Sequence, residues 1–162
     1  MTGNHQYIIN TDICISLDAI FQVNAIDKPP GSNVGNSNQI LLNQVSASYS
    51  KRSDGGVDVI NRGFNSPAGK WKEAKGRAYF IGEPDVARLK VTFFWPFYGG
   101  YNVIELDHAN YSYALICGPN KKYLWILART KKLDASITEA LIDKAKDLGF
   151  NTGELILVEQ EE

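Results

Sequence analysis

Few side chains in this sequence of 162 residues could carry covalent or metal chemistry. The histidines are His5 and His108, the cysteines are Cys14 and Cys117, and no pair of them has the spacing of zinc ligands. A nucleophilic thiolate at Cys117 with His108 as its base is one interpretation. Cys117 alternates with apolar neighbours on a predicted strand, however, which favours a buried structural thiol. We expect no metal and no cofactor.

The motifs of common enzyme classes do not occur either. The sequence has no Gly-x-Ser-x-Gly elbow, no phosphate-binding loop and no dinucleotide fingerprint. Lysine and arginine total 17 against 18 acidic residues, which gives a formal charge of −1. No excess of basic charge is present to hold a phosphate backbone, so we expect no nucleic-acid partner. These observations favour a binding protein over an enzyme.

Aromatic side chains are abundant, with 3 Trp, 8 Tyr and 7 Phe, and many of them are spaced two residues apart. This spacing is typical of strands that pack one face. Two interpretations are open: the filled core of a sandwich, or the lining of a closed barrel that holds one small ligand. In the barrel, Tyr49, Phe93, Tyr113 and Trp125 would line the interior, with Asn61 as a polar group.

The elements that would position these side chains form a meander from residue 43 onward. Seven alternating segments are separated by short turns, which favours antiparallel hairpins over strand–helix–strand units. The segments lie at residues 45–49, 57–61, 70–81, 89–93, 101–106, 111–117 and 123–129. We expect residues 95–100 to interrupt pairing, because proline cannot donate to a ladder and paired glycines bend the chain.

One later segment has the period of a helix. Its apolar stripe consists of Ile137, Leu141, Ala145 and Leu148. The pattern predicts a helix over residues 136–148, with a capping box formed by Ser136 and Glu139 and an end at Gly149. Alternation at residues 155–158 predicts one more short strand.

The first 42 residues differ in composition from the rest. They carry four charged side chains, against 31 in the following 120 residues, and they are rich in Asn and in a Pro-Pro-Gly-Ser-Asn loop sequence. The best strand candidate there is 20–23. No cationic region precedes an apolar run, and no apolar stretch approaches the ~20 residues of a membrane span. The sequence as written therefore predicts no export signal and a cytoplasmic protein.

Residues 43–159 resemble a lipocalin, and among lipocalins the bacterial outer-membrane type that is similar to apolipoprotein D. The segments that carry the resemblance are NQVSASYS at 43–50, DGGVDVINRG at 54–63, GKWKEAKGRA at 69–78, LKVTFF at 89–94, PFYGGY at 96–101, YSYAL at 111–115 and YLWILART at 123–130. The resemblance implies an all-β fold, an eight-stranded antiparallel up-and-down barrel with a C-terminal helix packed outside. Residues 43–162 would form this barrel domain.

The resemblance also implies a function and a set of site residues. The implied function is binding, storage or transport of a fatty acid or lysophospholipid in the barrel for cell-envelope maintenance, without catalysis. The implied partners besides this ligand are a second copy of the chain and the outer membrane, with the protein in the outer membrane or periplasm. The predicted ligand-binding residues are Tyr49, Val59, Asn61, Phe93, Tyr113 and Trp125, and Arg129 would close the barrel floor. The alternative is an isomerase-type enzyme on the same barrel that uses Cys117.

The start of the chain departs from the family pattern. Lipocalins of this type open their first strand with Gly-x-Trp, and that tryptophan stacks on the floor arginine. Here tryptophan occurs only at positions 71, 95 and 125. Two explanations are open: residues 1–42 are partly out of frame, or they form a divergent N-terminus in which 20–23 or 40–42 replaces the first strand.

Overall fold

The computed structural model describes residues 19–26, 42–82 and 87–160. The described strands are β1 (Ala19–Ile26), β2 (Leu42–Lys51), β3 (Val57–Asn65), β4 (Lys70–Phe80), β5 (Arg88–Phe94), β6 (Phe97–Leu106), β7 (Tyr113–Cys117), β8 (Leu124–Ala128) and β9 (Ile156–Leu157). One helix, α1 (Ala135–Asp147), and a single 3₁₀ turn (Thr152–Glu154) lie between β8 and β9. His5, Cys14 and residue 40 lie outside the described residues. No helix in the described ranges is long and apolar enough to cross a membrane.

Eight of the strands form a closed antiparallel ring. Strands β2 to β8 pair in sequence order, and β1 pairs with both ends of this series. It pairs with β2 from Ala19 opposite Tyr49 to Gln22 opposite Ser46. It pairs with β8 from Gln22 opposite Ala128 to Ile26 opposite Trp125. The predicted all-β up-and-down barrel is therefore confirmed. Strand β1 contains the segment 20–23, which was one of the two candidates for a replacement first strand.

The C-terminal segment completes the junction between β1 and β2. Strand β9 pairs with the end of β1, with Leu157 opposite Ala25 and Ile156 opposite Ile26. Gln44 has a positive φ of 51°, and its N–H donates to the carbonyl of Glu159 at 2.8 Å. The Gln160 side chain donates to the carbonyl of Val45 at 3.0 Å. These bonds satisfy backbone groups of β2 that its pairing with β1 leaves unused.

The strands carry two separate apolar surfaces. Inside the ring, the buried residues form two clusters that share the partly buried Tyr49 and Tyr101. Outside the ring, Leu115, Leu124 and Ile126 pack against Leu141 and Ala145 of α1. The helix predicted from the apolar stripe therefore covers one outer face of the barrel, as the family resemblance implied. An ion pair between Lys144 and Glu105 of β6 adds a polar contact at the same junction.

The helix ends as predicted but begins differently. Asp134 is the N-cap, and its carboxylate accepts hydrogen bonds from the N–H groups of Ser136 at 2.8 Å and Ile137 at 3.4 Å. The predicted capping box of Ser136 and Glu139 is wrong, because the carboxylate two residues earlier takes the capping position. Gly149 has a φ of +82°, and the next N–H, that of Phe150, returns to the carbonyl of Ala145. This is the Schellman arrangement expected for glycine.

The expected interruption of pairing at 95–100 is also wrong for most of that segment. The turn consists of Trp95 and Pro96 alone, and pairing resumes with Phe97 opposite Phe94. Gly99 and Gly100 pair with Val91 and Lys90, since a ladder needs only backbone N–H and C=O groups. The irregularity is confined to a register shift between Val91 and Phe94.

Candidate functional site

The two ends of the barrel follow from the alternation of hairpins. The hairpins β3–β4, β5–β6 and β7–β8 lie at one end, which we call the mouth and define by residues 65–70, 94–97 and 117–124. The hairpins β2–β3 and β6–β7 lie at the opposite end with the end of β8. We call this end the floor and define it by residues 51–57, 106–113 and 128–129.

Side chains that face the interior remain partly accessible. On β3 the inward register contains Val57, Val59 and Asn61; Val57 and Val59 are buried near the floor, and Asn61 is half-buried closer to the mouth. On β8, Trp125 packs with the interior cluster and is also half-buried. Apolar groups that face inward but keep accessible surface indicate an interior that its own side chains do not fill.

A tyrosine pair is the main polar feature of the described interior near the floor. The hydroxyls of Tyr49 on β2 and Tyr101 on β6 are 2.9 Å apart, and the rings meet edge to face at 6.3 Å. Burial raises the pKa of Tyr49 to about 12, and the hydrogen bond with Tyr101 opposes this rise only in part. The Tyr49 hydroxyl therefore stays neutral at physiological pH. The pair bridges opposite walls of the barrel.

One wall of the interior is made of small residues. The inward register of β4 contains Ala74, Gly76 and Ala78, which lie opposite Asn61, Val59 and Val57 on β3. The ring of Phe93 lies directly over Gly76, because a Cβ added there would come within 2.8 Å of two ring carbons. Small side chains on β4 leave room in front of this wall, and Phe93 occupies part of that room near the mouth.

Trp125 is held in place by two neighbours at the mouth. Its ring stacks on that of Tyr123 with centroids 6.2 Å apart and an angle of 27°. Gly118 lies against both, since an added Cβ would be 2.6 Å from the Tyr123 Cβ and 3.3 Å from the Trp125 ring. The glycine thus permits the two rings to stand side by side where β8 enters the barrel.

The structure separates Tyr113 from the other predicted site residues. Tyr113 packs with the cluster that contains Leu115, Ile126 and α1, on the outer face. The inward positions of β7 are Ala114 and Ile116. This strand is buried on both faces, so the alternation of apolar residues could not indicate which of its two sets of alternate side chains points inward. Tyr49, Val59, Asn61, Phe93 and Trp125 remain together in the inward register.

Arg129 lies at the floor, directly after the last residue of β8. Its Nε donates to the carbonyl of Tyr111 at 2.7 Å, and its backbone N–H donates to the carbonyl of Ser112 at 2.9 Å. Asp107 organises the same turn by accepting from the hydroxyl and N–H of Ser112 and from the N–H of Ala109. The Ser112 hydroxyl above all holds the pKa of Asp107 below its usual value.

Cys117 and His108 do not form a catalytic pair. Cys117 belongs to the outer cluster beneath α1, at the mouth end of β7. His108 lies in the floor turn at the other end of that strand. At about 3.3 Å per residue, the four steps from Tyr113 to Cys117 alone separate them by roughly 13 Å. Burial also raises the pKa of the Cys117 thiol, which disfavours the thiolate that the alternative enzyme would need.

Two features of the interior were not predicted from the sequence. Tyr101 was placed on a strand but not in the site, although its register opposite Leu89 gives it an inward position. The small-residue wall of β4 was also missed, although Ala74, Gly76 and Ala78 alternate with Lys75 and Arg77. Alternation of small with charged residues is the signal that could have indicated it.

The family comparisons agree with this geometry. The model of the family described as "Lipocalin-like domain" matches residues 35–160. The chain is 50% identical over 120 residues to the outer membrane lipoprotein Blc of Vibrio cholerae, a match that covers 74% of this chain and 70% of the relative. It is 49% identical over 119 residues to the protein of that name from Escherichia coli, covering 74% and 67%.

Solved structures agree at the level of the fold. Apocrustacyanin C1 superposes with a TM-score of 0.68 at 18% identity, covering 91% of this chain and 79% of that one. Lobster apocrustacyanin A1 superposes with a TM-score of 0.68 at 17% identity, covering 100% and 94%.

Proposed function

The chain belongs to the lipocalin family, and from this premise we propose that it is a carrier that binds the acyl chain of a fatty acid or lysophospholipid inside the barrel. The observation that carries the proposal is the partly accessible apolar interior. Trp125 and Phe93 face inward near the mouth and keep accessible surface, while the wall across the barrel from Trp125 is built of Ala74, Gly76 and Ala78.

The affinity would come mainly from apolar burial. Each methylene taken out of water contributes about 0.8 kcal/mol, so ten methylenes supply about 8 kcal/mol before the costs of ordering the ligand. The interior suits this use because its walls are apolar over most of their length. Asn61 and the Tyr49–Tyr101 pair are the polar groups that would meet a ligand oxygen. No covalent step is needed.

A pair of matched substitutions on one strand tests the proposal. Ala74→Trp places a bulky ring in the inward register of β4, whereas Lys75→Trp places the same ring on the outer, exposed face one residue later. If Ala74→Trp excludes two or three methylenes, the affinity for oleate should fall roughly 15- to 60-fold. Lys75→Trp should bind oleate as the wild type does. Isothermal titration with oleate and with a lysophospholipid measures both.

The proposal has a second, independent test. Native mass spectrometry of the freshly purified protein should show a bound acyl lipid that Ala74→Trp has lost. A well-folded wild type that binds neither lipid, or an Ala74→Trp variant that binds both as tightly as wild type, would contradict the carrier function.

We also propose, from the similarity to outer membrane lipoproteins, that the protein acts at the cell envelope and maintains its lipids. Fractionation of the cells that make it, with antibody detection, tests this location. Recovery of the protein in the cytoplasmic fraction alone would contradict it. An enzyme that uses Cys117 is not proposed, because its thiol lies beneath α1 and outside the barrel.

A further inference from the structure

A run of aromatic residues at the mouth projects into solvent. Phe94 and Trp95 are each 81% exposed and Phe97 is 78% exposed, and Tyr98 follows at 44%. Trp71, on the neighbouring mouth hairpin, is 44% exposed. Single exposed apolar side chains are ordinary, but a continuous stretch of large ones marks an interaction surface. We call these five residues and the mouth cations named next the mouth surface.

The mouth hairpins are also basic, although the chain as a whole is not. Six cationic side chains lie in the mouth turns or beside the exposed aromatic residues: Lys70, Lys121 and Lys122 in the turns, Lys72 next to Trp71 in sequence, Arg62 against Trp71 and Lys90 against Tyr98. The described mouth turns 65–70, 94–97 and 117–124 contain no acidic side chain, and Glu73, two residues after Trp71, pairs with Lys75 at 3.4 Å. The floor carries both signs, with Lys51, Arg52 and Arg129 against Asp54, Asp58 and Asp107. The charged side chains of the described mouth turns are therefore uniformly basic, whereas the floor carries charges of both signs.

Cations and rings are paired on this surface. The Arg62 guanidinium lies 4.6 Å from the centroid of the Trp71 ring, and the Lys90 ammonium lies 5.0 Å from that of the Tyr98 ring. In an interfacial lipid contact, an aromatic ring enters the headgroup layer while a neighbouring cation binds a lipid phosphate. The paired rings and cations of the mouth surface have this arrangement.

We propose that the mouth surface docks on an anionic lipid surface, so that the open end of the barrel faces the bilayer. This inference rests on the carrier function, since docking in this orientation would bring an acyl ligand to the interior without passage through water. Charge decides against a second copy as the occupant. A symmetric dimer through this surface would set six cations against six cations. An anionic bilayer instead attracts each of them, by roughly five-fold in partitioning per cation.

Vesicle cosedimentation of the full chain tests the docking. We expect binding to vesicles of phosphatidylglycerol and phosphatidylcholine, much weaker binding to phosphatidylcholine alone, and loss of the difference in high salt. Lys70→Gln with Lys122→Gln should lower partitioning by about 25-fold. Lys131→Gln with Lys132→Gln, which removes two exposed cations just beyond the floor, is the matched control and should bind as the wild type does.

The aromatic part is tested separately. Phe94→Ser with Trp95→Ser should abolish vesicle binding, and both side chains are so exposed that the fold should tolerate their removal. Binding of monomeric oleate in solution should remain unchanged in this variant, which distinguishes failed docking from a failed carrier function.

Three outcomes would overturn the docking proposal. The first is equal binding of the wild type to neutral and anionic vesicles, and the second is a loss of vesicle binding in the floor control as large as that in Lys70→Gln with Lys122→Gln. The third is a wild type that does not bind vesicles but forms a dimer in analytical ultracentrifugation, which Phe94→Ser with Trp95→Ser dissociates. The last outcome would assign the surface to self-association.

Discussion

Replacing Tyr49 by phenylalanine should change how the stability of the barrel depends on pH. At pH 7 the variant loses the hydrogen bond between the Tyr49 and Tyr101 hydroxyls, which are 2.9 Å apart. Removing one such bond inside a barrel costs about 1 kcal/mol of unfolding free energy. We therefore expect Tyr49→Phe to be less stable than the wild type by that amount at neutral pH.

The difference should close at high pH. Burial raises the pKa of Tyr49 from 10.0 to about 12 in the folded protein. Between these values the unfolded chain releases the proton and the folded chain keeps it, so the unfolding free energy of the wild type falls as pH rises. The fall is about 1.4 kcal/mol per pH unit. By pH 11 this loss should match or exceed the advantage of the hydrogen bond, and phenylalanine at position 49 has no proton to lose.

Urea unfolding followed by tryptophan fluorescence at pH 7, 9 and 11 measures the effect, since both proteins share all other titrating groups. Tyr98→Phe, which removes an exposed tyrosine, is the control and should stay parallel to the wild type. A stability difference between Tyr49→Phe and the wild type that is the same at pH 7 and pH 11 would refute the desolvation of the Tyr49 hydroxyl.

Three further predictions follow from local geometry. Asp134→Ala should lower the unfolding free energy by about 1 kcal/mol in urea titrations, because the N–H groups of Ser136 and Ile137 lose their acceptor; an unchanged midpoint would contradict the cap. Gly118→Ala should cost about 1–3 kcal/mol because its Cβ meets Tyr123, whereas Gly99→Ala, whose nearest contact is 4.0 Å away, should cost far less. In a Cys14→Ser background, Cys117 should react slowly with a thiol reagent at neutral pH, and Cys117→Ala should bind oleate normally. Rapid modification would refute the burial of the Cys117 thiol.

The sequence predicted most of the barrel because local patterns determine a meander. Turn residues such as Gly55, which has a φ of +82°, separate strands in which the alternating apolar residues fix the pairing register. The position of β1 was harder to predict, since its pairing with β8 depends on partners about a hundred residues away. The capping residue Asp134 was missed because two candidate caps lie within three residues of each other.

The site was predicted less completely, for a different physical reason. Alternation gives two faces of a strand but does not say which one is inside when both are buried. Tyr113 was therefore assigned to the interior although it packs beneath α1. Where one face is polar, as in β3 with Asp58 and Arg62 outside, the inward assignment of Val59 and Asn61 followed directly.

The closure of the ring by β1 has a consequence for how the chain folds. Strands β2 to β8 pair with sequence neighbours, so each hairpin can form from a short stretch of chain. Closure instead joins Gln22 to Ala128 and Ala25 to Leu157, contacts that span most of the polypeptide. During synthesis the open meander that begins with β1 should therefore exist first, with free edges on β1 and on the newest strand, until β8 has left the ribosome. The interval before closure is when this protein is most exposed to aggregation, and its length is set by the distance in sequence between β1 and β8.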